Sequence, residues 1–169
     1  MTTSVEEIRA AIEAANHSNA SGPTLGIVPF LGERVESMHE PRFPNDGPID
    51  GATLAQLLSA EFEMHEVAID NARFDATVST RGDDEIVMAG FFRGTFRHDG
   101  SELAHPVHIV WTVENGKIVR FWVDASTPEI MEGYQRQGEA FSSPEVRPYL
   151  DKLLAITGGG EATDADSAS

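Results

Sequence analysis

Asp124, His39, His105, His108, Arg93 and Tyr134 are the side chains of this 169-residue chain whose types and settings suit acid–base chemistry. A carboxylate in an apolar setting has its pKa raised by desolvation, and a neighbouring Arg or protonated His lowers it again. In one state it abstracts a proton beside a carbonyl; in the other it protonates a leaving group. A nearby imidazole or Trp N–H could hydrogen-bond a developing oxyanion. On this reading Asp124, His39 and His108 are the candidate catalytic residues. Trp122, Arg93, Phe91, His105 and Tyr134 are the candidate substrate contacts. His105 and His108 stand three apart, so on a regular strand they face opposite sides and cannot jointly hold a metal. One of the two can face a pocket, and the spacing leaves open which. Cysteine is absent, which rules out a disulfide framework, a thiolate nucleophile and a thiolate metal site. P-loop, dinucleotide-glycine, G-x-S-x-G and H-E-x-x-H patterns are absent too. The expectation is a site with neither metal nor cofactor.

The element that must position Asp124 is a hairpin over residues 105–124. Asn115-Gly116 separates two runs of β-formers, and Asn-Gly is the strongest short hairpin signal because both turn residues need positive φ. Side chains alternate along a strand, so Trp122 and Asp124 share a face, expected to be the pocket face. Ser126-Thr127-Pro128-Glu129 reads as a helix start, with Ser126 as cap and Glu129 completing a capping box. The strand thus delivers a carboxylate to the sheet's end just before a helix closes over it.

Val113-Glu114-Asn115-Gly116-Lys117-Ile118-Val119-Arg120-Phe121, followed by Asp124 and a helix, resembles the C-terminal hairpin of the SnoaL-like branch of the nuclear transport factor 2-like superfamily. The resemblance implies an α+β fold: a cone-shaped, curved antiparallel sheet with helices packed in its mouth and a pocket inside. That branch holds polyketide cyclases, ketosteroid isomerases, epoxide hydrolases and dehydratases, together with members that have no known chemistry. The implied function is a cofactor-free isomerase or cyclase acting on a small apolar carbonyl compound. The alternative is a non-catalytic ligand-binding or dimerisation module of the same fold. The epoxide hydrolase pattern is broken here, because no Asp lies two residues after Arg93.

The remaining elements follow from pattern. Ser4 and Glu7 form a capping box for an amphipathic helix reaching residues 15–17, where His17 is a solvated helix-end residue. A short helix is expected over residues 24–32, weakened by Pro29. A strand over 34–40 carries His39, and an irregular Pro/Gly-rich loop follows over 41–48. A long helix capped by Asp50 or Thr53 runs to about Ile69, with His65 as a packing or surface residue. Strands are expected over 73–79 and 85–97; the second has two apolar faces, and Gly90 and Gly94 are sites for bends or bulges. After a short helix near Ile130 and Tyr134, residues 135–143 read as a linker. A last helix then turns Tyr149, Leu150, Leu153 and Leu154 inward.

Twelve basic residues against 28 acidic ones give a net charge of −16. Nucleic acid and anionic membranes need a positive footprint, so neither is an expected partner. The N-terminal residues lack the basic and apolar regions of a signal peptide, and no apolar run approaches membrane-spanning length. The expectation is a soluble, cytoplasmic single domain over residues 1–157, with an acidic, disordered tail over 158–169. The two-sided apolar pattern of residues 85–97 makes a homodimer the expected assembly.

Overall fold

The computed structural model describes residues 2–16, 22–43 and 46–156. His17, most of the 16–23 loop and the expected 158–169 tail lie outside the described residues.

Helix α1 (Val5–Asn16) starts at the expected box: the Ser4 N–H donates to Glu7 Oε2 at 2.6 Å and the Glu7 N–H donates to Ser4 Oγ at 3.2 Å. Its spacing buries Ile8 and Ile12. The expected 24–32 helix is split. Helix α2 (Gly22–Gly26) ends, and a 3-10 turn over Val28–Phe30 carries Pro29, which cannot donate a helical hydrogen bond. Strand β1 (Leu31–Glu40) follows. Inside the loop expected to be irregular lies a short strand, β2 (Gly47–Asp50). Of the two candidate caps for α3 (Gly51–Ala68), Asp50 serves, accepting from the Thr53 N–H at 3.1 Å. Strands β3 (Ile69–Arg81), β4 (Glu85–Phe96), β5 (Glu102–Glu114) and β6 (Lys117–Asp124) then run on through tight turns. Asn115 and Gly116 take φ of 51° and 75°, the conformation the Asn-Gly turn requires.

Two elements close the chain. Helix α4 (Pro128–Phe141) absorbs most of the stretch expected to be a linker, and α5 (Arg147–Ile156) follows. Thr127, not Ser126, caps α4, its Oγ1 accepting from the Ile130 N–H at 3.3 Å. On α5, Tyr149, Leu150 and Leu153 pack inward while Leu154 is exposed.

The sheet has six strands in the order β2-β1-β6-β5-β4-β3 and is open. It is mixed, not wholly antiparallel: β1 runs parallel to β6, with His39 opposite Val123 and Glu40 opposite Asp124, and the other neighbours are antiparallel. Gly90 sits at φ 153°, where a Cβ would lie 2.3 Å from the Asp75 carbonyl oxygen, so glycine is what lets β4 run so close to β3. The register stays unbroken there, whereas Gly94, the other expected site, stands opposite the irregularity between Asp70 and Arg73; the remaining irregularities fall between Leu31 and Glu36 and between Thr112 and Val113.

The inner face carries Ile86, Met88, Ile109, Trp111, Phe121 and Val123 against α1 and α3. A second cluster joins Met64, Phe92, Phe96 and Leu103 to α4 and α5. Burying each such side chain contributes about 1.5–3 kcal/mol, so the inner parity of each strand is fixed by the core.

Candidate active site

A cavity of about 390 Å³ opens between the two clusters, walled mainly by apolar side chains such as Leu54, Leu58, Phe62 and Val107. Polar groups reach it from β1, the 41–46 loop, β5, α3 and α4.

His39 enters from β1, on the inward parity set by its pairing with Val123. Asp46, at the end of the following loop, holds it. Asp46 Oδ1 lies 2.7 Å from His39 Nδ1, while Oδ2 accepts from the backbone N–H groups of His39 and Phe43, each at 2.7 Å. The carboxylate side chain is 3% exposed. Burial pushes its pKa up and is the largest single influence. The bonds from the His39 ring and from the Phe43 and His39 N–H groups outweigh it, leaving the carboxyl below its ordinary value. An ionised Asp46 is acceptor-only, so Nδ1 carries the donated proton, and in the neutral ring it is Nε2 that has the free lone pair. That is the arrangement of a general base oriented by a carboxylate.

Phe43 stacks on His39, with ring centroids 3.9 Å apart and 8° between planes. Tyr134, from α4, meets Phe43 edge-on at 5.5 Å, stands 6.4 Å from His39 and lies 4.7 Å from His105. Burial first, then Glu61, Asp124 and Asp46, raises the Tyr134 pKa well above the usual phenol range, so the hydroxyl stays protonated and can donate. His105 is buried in the cavity wall, and burial, followed by His65, lowers its pKa to about 4.

His65 ties α3 to α4. Its Nδ1 lies 2.7 Å from the Glu61 carbonyl and its Nε2 lies 2.9 Å from Gln137 Oε1, and Gln137 Nε2 donates to the Gly133 carbonyl at 3.1 Å. The histidine expected to pack does pack, and it also borders the cavity.

The structure does not bring the other expected residues to the cavity. Trp122, His108, Phe91 and Arg93 lie on the outer face of the sheet, because the neighbouring parity (Phe121, Val123, Phe92, His105) must be buried. Trp122 Nε1 donates to Glu40 Oε2 at 3.2 Å, and its ring meets His108 edge-on at 5.4 Å. The Arg93 guanidinium sits 4.5 Å from the Phe91 ring centre and pairs with Asp75 at 3.2 Å. This resolves the open choice between the paired histidines: His105 faces in and His108 faces out. Asp124 borders the cavity mouth from the outer parity. Its Oδ1 accepts from the Ser126 Oγ at 2.6 Å and N–H at 2.8 Å, and Oδ2 lies 3.7 Å from His108 Nδ1. The Ser126 hydroxyl and N–H lower its pKa, burial opposes them, and His108 adds to the lowering.

Asp46 is the residue that sequence reasoning missed. It sits in a Pro/Gly-rich loop with no spacing that ties it to His39. Among the described residues, no helix is long and apolar enough to cross a membrane, and no group of three or more His, Cys, Asp or Glu is placed to hold a metal ion.

No protein-family model and no curated protein matches the sequence. Solved structures do match in shape. An NTF2-like protein from Burkholderia thailandensis superposes with a TM-score of 0.54 at 21% identity, covering 71% of this chain and 88% of that one. A putative SnoaL-like polyketide cyclase from Mesorhizobium loti gives 0.51 at 15% identity, over 72% and 98%. A protein with a ketosteroid isomerase-like fold from Catenulispora acidiphila, solved with trimethylamine, gives 0.50 at 14% identity, over 82% and 98%.

Proposed function

On this nuclear transport factor 2-like fold, α+β with a SnoaL-like arrangement of sheet and helices, we propose a small-molecule enzyme that moves a proton beside a carbonyl. The observation that carries the reading is the His39–Asp46 pair on the wall of an apolar cavity. His39 Nε2 takes a proton from the carbon next to the carbonyl, giving an enolate and an imidazolium. Tyr134 lines the same cavity, and in this reading its hydroxyl donates to the oxygen as charge builds on it. Returning the proton to a different carbon completes an isomerisation; attack by the carbanion on a second carbonyl closes a ring, and the alkoxide so formed takes the proton back from the His39 imidazolium. The apolar wall selects a small, mostly apolar compound. Asp124 and His108 take a positioning role in this reading. Asp124, with His108 beside it, holds Ser126 at the turn into α4 and so sets where Tyr134 stands.

The test is deuterium exchange at C2 of 1-indanone, followed by proton NMR in heavy water. The intact protein accelerates exchange, and His39→Gln lowers the rate by roughly 10²–10⁴, the usual contribution of positioned proton transfer. Tight binding without exchange would leave the non-catalytic ligand-binding reading in its place.

The assembly proposed with this function is a homodimer through the outer sheet face. That face carries Phe91, 38% exposed, on β4 and, two strands away, Trp122 on β6 with Met38 opposite it on β1. It also carries both signs of charge, Arg93 and Arg120 against Asp75 and Glu36, which a two-fold related copy can pair.

A further inference from the structure

One edge of the His105 ring is sealed and the other is open, and this fixes where its proton sits. The residue is 5% exposed, and its Nδ1 is buried without a hydrogen-bond partner. The sealed edge presses on α4 at Gly133, where a Cβ would lie 2.0 Å from Nδ1, 2.9 Å from Cγ and 3.1 Å from Cε1. The Gly133 carbonyl accepts from Gln137 instead. A proton on Nδ1 would be a buried donor without an acceptor, which costs the desolvation of that group; a lone pair set against a Cα–H costs less. Burial and the nearby His65 keep the ring neutral at neutral pH. The single ring proton therefore sits on Nε2, on the edge opposite Gly133. His105 borders the cavity beside the Tyr134 ring.

We infer that His105 is a fixed, neutral hydrogen-bond donor through Nε2, and that it and the Tyr134 hydroxyl together receive an acceptor oxygen of the ligand. The site then selects a ketone over a hydrocarbon of the same shape. This rests on reading the cavity as the substrate site, and it adds to that reading a second donor and a reason for glycine at position 133. A neutral donor suits an enolate, because it strengthens its bond as charge builds on the oxygen without giving up its own proton.

The test uses the full chain with two probes of one shape, 1-indanone and indane. Wild-type protein binds the ketone about tenfold more tightly, the worth of one good hydrogen bond. His105→Leu loses most of that preference and keeps the part that the Tyr134 hydroxyl supplies. His105→Gln, whose amide nitrogen can reach the place of Nε2, restores part of it, whereas His105→Asn, whose amide reaches only the sealed edge, does not. The carbonyl stretch of bound 1-indanone lies lower in wild type than in His105→Leu. Nitrogen-15 NMR of the wild-type imidazole, which needs no variant to fold, shows Nε2 protonated and Nδ1 bare. A protonated Nδ1, equal binding of both probes by wild type, or an undiminished preference in His105→Leu would overturn the inference. Failure of the wild-type protein to accelerate α-deuterium exchange, with its ketone preference intact, would instead sink the base role of His39 and leave the His105 donor standing.

Discussion

Asp46 acts through the proton on its neighbour. One oxygen is saturated by two backbone N–H groups and the other holds His39 Nδ1. In Asp46→Asn the amide oxygen keeps the backbone bonds and the NH₂ turns to Nδ1. His39 must then accept there and carry its proton on Nε2, where it is no longer a base. Exchange of 1-indanone should fall by on the order of 10³–10⁴, as when an orienting carboxylate is lost elsewhere, with far less loss of melting temperature than of rate. His105 makes a different prediction, about stability. Its folded pKa, near 4, lies below the unfolded value of 6.5, so the unfolded chain takes up a proton first as pH falls. Its contribution is complete above about pH 6.5 and is lost progressively down to about pH 4, amounting to roughly 3 kcal/mol. Urea unfolding across that window should show the slope, and His105→Leu should flatten it. Asp46 acts lower, because its folded carboxyl lies below the ordinary 3.8. These residues differ in how far the sequence reveals them. His39, His105 and Tyr134 are legible as candidates by residue type, with the choice between His105 and His108 left open, but Asp46 is not, since a loop has no period to place it. The parity of Trp122 and Asp124 was legible as well. What the alternation alone could not say is which face is buried, and the bulk of Phe121 and Val123 decides that.

Helix α4 shows how a tertiary contact makes an element that local pattern does not. Residues 135–143 are polar and contain Gly138, which reads as a linker. The helix persists because Gln137 is buried between His65 and the Gly133 carbonyl, and because Ile130 and Ala140 are buried on the same side. Periodicity cannot detect a buried glutamine, whereas the Asn115-Gly116 turn and the Ser4/Glu7 box act locally and were legible. The contact also gives Gly133→Ala an unusual sign. In an exposed helix the change would stabilise by about 1 kcal/mol. Here the new methyl meets His105 Nδ1, so overpacking of about 1–3 kcal/mol should prevail and lower the melting temperature. An unchanged or raised melting temperature would mean that the imidazole has room to retreat, and the sealed edge of His105 would be lost with it.

For the whole molecule, the open sheet leaves one question that the cavity does not answer: what its outer face meets. Helices cover the inner face. The outer face of β4, β5 and β6 carries Phe91, Arg93, His108, Val110 and Trp122. The apolar pattern on both sides of residues 85–97 is what motivates a second covered face, and the hairpin at Asn115-Gly116 was legible as a sign of the fold. The parallel pairing of β1 with β6 was not, because no local signal sets which distant strand lies alongside. If a second copy covers this face, sedimentation at micromolar concentration should give about twice the chain mass of 18.3 kDa. Phe91 is exposed enough that Phe91→Asp should cost the single chain little. In the dimer the same change buries a charge against its own two-fold copy, where like charges repel and desolvation adds to the cost. The variant should therefore sediment as a monomer of unchanged melting temperature at low concentration, while wild type grows more stable as its concentration rises. A wild-type mass of one chain at those concentrations would remove the dimer from the proposal and leave the cavity reading untouched, because every residue assigned to the cavity comes from a single chain.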